Sequence, residues 1–151
     1  MVSVLFVCTG NICRSPTAEA VFRDRVNAQG LDATYDSAGT FGYHIGSTPD
    51  IRAIEMAAEH GIEMSDLRAR KITEEDFDKF DLIIALDKGH ERTMRRMIDE
   101  KYHDKIKLFL DYHDGYNGVD VSDPYYGDKA AFKKAYDMIE QGVDAMIEKV
   151  F

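Results

Sequence analysis

The 151 residues include 44% hydrophobic and 31% charged side chains, a balance that excludes disordered and fibrous chains. Asp and Glu (28) outnumber Lys and Arg (19) for a net charge of −9, which argues against a nucleic-acid or anionic-membrane binder working through a basic face. A small anion site stays compatible with that charge, because a few oriented dipoles and one arginine override the global field locally.

Val2 to Val7 is an apolar, β-branched run broken only by Ser3, which suits a strand buried on both faces of a parallel sheet. Ser15 and Pro16 read as the N-cap and first residue of a helix with Ala18, Val21, Phe22 and Val26 at helical spacing, closed by Gly30. Residues 33–38 make a second strand. Thr48-Pro49-Asp50 opens a helix with Ile51, Ile54 and Ala58 on one face, stopping near Gly61. Thr73 to Asp76 has the form of a capping box before a short helix carrying Phe77 and Phe80. Two further buried strands, 82–86 and 106–110, flank a helix over 88–101 that Asp87 caps and whose core stripe is Met94, Met97 and Ile98. Phe132, Ala135, Ile139, Val143, Met146, Ile147 and Val150 line a long C-terminal helix. This alternation predicts an α/β fold, a doubly wound and mostly parallel sheet with helices on both faces. No repeat, low-complexity tract or linker interrupts it, so one domain over 1–151 is expected.

Cys8 and Cys13 are too few for a disulfide framework and match no metal-ligand spacing. His44, His60, His90, His103 and His113 show neither H-x-H nor H-E-x-x-H, so capping or solvated roles are expected for them, and no metal or cofactor. No apolar run approaches the roughly 20 residues that cross a bilayer, and nothing after Met1 reads as a signal peptide. A cytoplasmic location is expected, where free thiols persist.

The chemistry concentrates in Cys8-Thr9-Gly10-Asn11-Ile12-Cys13-Arg14-Ser15-Pro16, between the first strand and the first helix. In a doubly wound sheet this is the carboxyl edge, where ligands collect. A short loop feeding a helix N-terminus turns backbone N–H groups inward as a nest for an oxyanion. Gly10 and Asn11 are residue types that tolerate the positive φ of such a cradle. Arg14 adds a planar fork for two phosphoryl oxygens. The same surroundings favour Cys8 as a thiolate, an in-line nucleophile on phosphorus, with Ser15 placed to donate a hydrogen bond to it.

Cys-x5-Arg-Ser in the form CTGNICRSP, eight residues from the start, resembles the low-molecular-weight protein tyrosine phosphatases. The resemblance continues through Asp36-Ser37-Ala38-Gly39-Thr40, Tyr43, Gly46, Pro49-Asp50, Ile72-Thr73, Asp76-Phe77 and Asp87, and ends at Asp123-Pro124-Tyr125-Tyr126-Gly127. It implies a four-stranded parallel sheet in the order 2-1-3-4 and hydrolysis of phosphotyrosine monoesters on proteins. It also implies roles. Cys8 would form a phosphocysteine, Arg14 would clamp the equatorial oxygens, and Asp123 would be the general acid and then the base. Asn11 and Ser37 would support the loop, with Ser15 and Asp87 beside them. Ile12, Tyr43, Tyr125 and Tyr126 would wall the aromatic slot. Cys13 reads either as a packing residue or as the partner that captures oxidised Cys8 in a reversible disulfide. Phosphate- or vanadate-like anions would bind the loop, and the two tyrosines after Pro124 would be open to phosphorylation by a kinase. Some members place a histidine before the Ile-Thr that opens the short helix. This chain has Leu67 there, so the loop's support is either shorter or completed by another group.

Three rivals have distinguishing features. The same family includes protein arginine phosphatases, in which threonine typically stands where this chain has the apolar Ile12. Thioredoxin-coupled arsenate reductases of similar fold need two further cysteines, which this chain lacks. A non-catalytic anion-binding or redox-sensing module would have no reason to keep Cys8, Arg14, Ser15 and Asp123 together.

Overall fold

A computed structural model describes residues 1–151. β1 (Val2–Cys8), β2 (Ala33–Gly39), β3 (Leu82–Ala85) and β4 (Ile106–Leu108) form one parallel sheet in the order β2-β1-β3-β4. Around it lie α1 (Arg14–Gln29), α2 (Ile51–Glu59), α3 (Glu74–Lys79), α4 (Lys88–Met97) and α5 (Lys129–Val150). The order reverses between β1 and β3, so the crevice of the sheet opens where β1 ends, at Cys8.

Alternation along β1 divides the core. Val4, Phe6 and Cys8 belong to a 27-residue cluster with α1, α2 and α5, while Leu5 and Val7 join a 10-residue cluster with α3 and α4. Phe6 anchors the larger cluster by edge-to-face packing on Phe22 (5.5 Å) and Phe109 (6.2 Å). The C-terminal helix is as expected: six of the seven stripe residues are buried, and Val150 packs at the rim. No helix is long and apolar enough to cross a membrane.

Local chemistry explains where the elements differ from expectation. The N-cap of α1 is Cys13 rather than Ser15, whose hydroxyl is engaged elsewhere; Pro16 still falls in the first turn. In α2 the buried face is Ala53, Met56 and Ala57, with Ile51 63% exposed and Ile54 only partly covered. Apolar residues stand on two faces of this helix, Ile51, Ile54 and Ala58 on one and Ala53, Met56 and Ala57 on the other, and α5 packs beside it. The helix expected over 88–101 ends at Met97, where the His103 ring caps the carbonyls of Arg95 (2.9 Å) and Ile98 (3.2 Å). Asp99 then caps a 3₁₀ turn, Glu100–Lys105. The fourth strand ends at Leu108, because Phe109–Tyr112 tightens into another 3₁₀ turn.

Candidate active site

β1 delivers Cys8 to the floor of a cavity of about 200 Å³ that is open to solvent. The following loop is tied by its carbonyls. Thr40 N–H donates to Cys8 O (2.9 Å), Phe41 N–H to Thr9 O (3.0 Å), Asp50 N–H to Ile12 O (2.8 Å), and Thr17 holds Cys13 O. The amides between Thr9 and Arg14 have no acceptor within the protein. A run of unpaired N–H groups at the start of a 16-residue helix is a nest for an oxyanion.

Two residues give the loop its shape. Asn11 has φ 58°, in the left-handed region. Gly10, expected to share that role, does not have positive φ; a Cβ there would lie 3.0 Å from the half-buried His44 ring, which would have to shift by a few tenths of an ångström. From below, Gly39 meets the loop backbone so closely that a Cβ would sit 2.7 Å from Thr9 O.

The hydrogen bonds under Cys8 have a single direction. Ser37 Oγ donates to Glu19 Oε1 (2.7 Å), and Asn11 Nδ2 donates to Ser37 Oγ (2.9 Å) and to Ser15 Oγ (2.8 Å). Ser15 accepts from Asn11, which leaves its single O–H to choose between Cys8 Sγ at 2.9 Å and the more distant Ala38 O at 3.5 Å; a thiolate at Cys8 takes it. Asn11 Oδ1 accepts from the Arg70 amide (2.9 Å). The loop support is therefore complete without a histidine: Leu67 packs against the core, and Glu19 and the Arg70 backbone close the network. Burial pushes the Glu19 carboxyl above its usual range, against the Ser37 hydrogen bond that draws it down. Sequence reading missed Glu19. Its signal was an acid between Ala18 and Ala20 in an apolar run that continues through Val21 and Phe22.

Arg14 is buried (4% exposed) and fixed on one side. Nη1 donates to Asp87 Oδ2 (2.8 Å) and to Val121 O (3.0 Å), while Nη2 reaches Asp123 Oδ2 at 3.5 Å. Asp87 caps α4 as expected. Burial alone would raise its carboxyl, but hydrogen bonds from the His90 amide and Arg14 hold it below the usual range. His90, expected to be a capping or solvated residue, is instead buried behind the loop. Its Nε2 lies 2.8 Å from Thr9 Oγ1 and 3.4 Å from Arg14 Nη2. Arg14 only donates, so Nε2 accepts and the ring proton sits on Nδ1, 3.2 Å from Asp87 Oδ1 without a well-aligned hydrogen bond. Burial, then the Arg14 charge, push His90 down to about 4.

Cys8, Arg14 and Asp123 thus share one cavity, although Cys8 and Asp123 come from opposite ends of the chain. Ile12 and Cys13 contribute to it from the loop, and Tyr43, Tyr125 and Tyr126 from the two segments facing the mouth, joined by His44. Tyr43 and Tyr126 are exposed rims (83% and 95%), whereas Tyr125 stands edge-on to Tyr126. Asn11, Ser15, Ser37 and Asp87 act from behind the wall, not within it. Cys13 is a buried free thiol that burial, followed by Asp50, Cys8 and Asp123, drives upward and so keeps protonated. No cluster of three or more potential metal ligands occurs.

Known proteins resemble this chain over almost its whole length. YfkJ of Bacillus subtilis, named a low molecular weight protein-tyrosine-phosphatase, is 41% identical over 99% of this chain and 96% of its own. A protein tyrosine phosphatase from Entamoeba histolytica, solved with Hepes in its active site, superposes with a TM-score of 0.94 at 34% identity, covering 99% and 97% of the two chains. The YwlE arginine phosphatase, in a form with a phosphorylated active-site serine, superposes at 0.90 with 30% identity over 99% and 95%. The family model described as "Low molecular weight phosphotyrosine protein phosphatase" matches residues 3–151, and this chain belongs to that family.

Proposed function

We propose that this chain, acting as one domain in the reducing cytoplasm, hydrolyses phosphotyrosine monoesters on proteins by double displacement at Cys8. The observation that carries the reading is the convergence of a buried cysteine, a buried arginine and an exposed aspartate on one cavity floored by unpaired amides. The Cys8 thiolate attacks phosphorus in line while Arg14 and the loop amides hold the three equatorial oxygens, where charge develops. The bond from phosphorus to the tyrosyl oxygen breaks, and Asp123, protonated, gives that oxygen its proton. Asp123, now a carboxylate, takes a proton from water, which attacks phosphorus and breaks the phosphorus–sulfur bond. Phosphate leaves and the thiolate returns, stabilised by the Ser15 hydroxyl. Phosphocysteine formation is in keeping with the phosphorylated serine trapped in YwlE.

The slot residues favour an aromatic substrate. Ile12, Tyr43 and Tyr125 offer apolar and aromatic surface to a phenyl ring, and Ile12 in the loop brings no hydroxyl to address a guanidinium. A second role is proposed for Cys13: after a peroxide oxidises Cys8 to its sulfenic acid, Cys13 gives up its proton and its sulfur displaces the Cys8 hydroxyl as water, leaving a Cys8–Cys13 disulfide that an external thiol reduces.

The test is steady-state turnover of matched phosphotyrosine and phosphoarginine peptides. Phosphotyrosine is expected to turn over faster by about tenfold or more, the discrimination a shaped apolar slot supplies. Faster phosphoarginine hydrolysis would transfer the assignment to the arginine phosphatases. Cys8→Ser is expected to abolish both activities; a variant as active as the wild type would end the covalent mechanism.

A further inference from the structure

The segment that carries Asp123 lies outside helix and strand, between the 3₁₀ turn Asp114–Tyr116 and α5. Upstream of Asp123 it is secured by Val121, whose N–H donates to Leu86 O (3.0 Å) and whose carbonyl takes Arg14 Nη1 (3.0 Å). Beyond the Asp123–Arg14 ion pair (3.5 Å), the hydrogen bonds from Asp123 to Gly127 are internal, Tyr125 N–H to Asp123 Oδ1 (3.1 Å) and Gly127 N–H to Pro124 O (2.8 Å), with one exception. Arg52 donates through Nη2 to Tyr125 O (3.0 Å) and through Nη1 to Gly127 O (3.3 Å). Its guanidinium also lies 4.5 Å from the Phe132 ring centroid and 5.8 Å from that of Tyr125.

The other edge of the same guanidinium is occupied. Nε and Nη2 hold both carboxylate oxygens of Asp50, at 3.0 and 2.8 Å. Asp50 in turn caps α2 and donates its own N–H to Ile12 O in the phosphate loop (2.8 Å). One short strut therefore runs from the loop above Cys8, through Asp50 and Arg52, to the backbone just beyond Asp123. A planar fork is needed to make these contacts at once, which a lysine cannot do.

We infer that Arg52 is a positioning residue that registers Asp123 over the phosphate loop, so that its loss separates proton delivery from phosphoryl transfer. The inference rests on Asp123 being the general acid. Arg52 itself lines none of the cavity and touches no reacting atom. A loop free to drift there leaves nucleophile and clamp intact while the proton arrives late.

The experiment measures kcat/KM for a series of aryl phosphates of graded leaving-group basicity, with the wild type, Arg52→Ala, Arg52→Lys and Asp123→Ala. General acid catalysis contributes about 10²–10⁴-fold, so misplacing the acid is expected to cost both Arg52 variants about tenfold on phenyl phosphate and under about threefold on p-nitrophenyl phosphate. Competitive inhibition by inorganic phosphate is expected to stay within about twofold of wild type. A dependence on leaving group as shallow as the wild type's in both variants overturns the inference. So does a uniform loss across the series with parallel weakening of phosphate inhibition, the mark of general damage. If Asp123→Ala steepens the dependence and the Arg52 variants do not, the inference fails and the acid stands. If Asp123→Ala itself does not steepen it, the acid assignment fails and this inference with it.

Discussion

At the scale of single residues, Asn11 combines backbone strain with hydrogen bonding. Its φ of 58° is a conformation in which most side chains are disfavoured by about 1–2 kcal/mol, and its side chain joins Ser15, Ser37 and the Arg70 amide. Two substitutions separate these contributions. Asn11→Gly keeps the backbone at ease and loses only the hydrogen bonds, at about 1–3 kcal/mol for the buried partners left unpaired. Asn11→Ala loses those bonds and adds the strain, so its urea midpoint is expected below that of the glycine variant by the equivalent of about 1 kcal/mol. Equal midpoints would remove the strain argument. Cys8, Arg14 and Asn11 were legible in the sequence because they stand at fixed offsets in a loop between a strand end and a helix start, and Asp123 only through the family resemblance, since an Asp-Pro alone reads as a turn. Glu19 and His90 were not. A glutamate between apolar helical positions reads as surface, and a histidine three residues past a cap reads as solvated, until folding brings Ser37 to one and Thr9 to the other.

At the scale of elements, the site depends on β2 ending in a residue without a side chain. Gly39 pairs with Cys8 in register, and a Cβ there would meet Thr9 O at 2.7 Å, Gly10 C at 3.0 Å and Asn11 N at 3.1 Å, all of them backbone. Backbone cannot swing aside as a side chain does, so Gly39→Ala must push the phosphate loop off its geometry. Displacement by about 1 Å costs on the order of 10²-fold in rate, and a loss of that size in kcat/KM is expected with the far-ultraviolet circular dichroism unchanged. Activity within a few fold of wild type would mean that the strand and loop can slide past one another. Strand order and helix count were legible because apolar runs alternated with periodic segments. What escaped was the length of α4 and the buried face of α2. The His103 ring that stops α4 arrives from beyond its end, and the face of α2 is chosen by fit against α5, neither of which local pattern encodes.

At the scale of the whole molecule, the site makes the fold sensitive to mild acid. His90 is packed against Arg14, with Asp87, Asp120 and Asp123 as its acidic neighbours, and in the native state it stays neutral down to about 4. In the unfolded chain a histidine takes up its proton near 6.5. Between those values the unfolded state therefore binds the additional proton. Stability falls as pH is lowered through that window and levels off for this group below about 4. The contribution at stake is about 3 kcal/mol. Glu19 works in the opposite sense: its raised carboxyl favours the native state at low pH and loses that benefit as pH rises above the usual glutamate range. Asp76, held low by Arg70 and Thr73 against the desolvation that would raise it, loses stability only at still lower pH. Those two groups lie outside His90's contacts, so a His90→Asn variant shares their behaviour; Asp87 touches the ring but is held low and takes up its proton below this window, so comparison with wild type reads the ring. Urea unfolding at pH 7, 5.5 and 4.5 is expected to show wild type losing about 2–3 kcal/mol more than His90→Asn between the first and last, whatever the variant's stability at pH 7. Parallel decline of the two proteins would show that His90 is already protonated beside Arg14 in the native state, and that the Nε2 lone pair assigned to Thr9 and Arg14 is not there.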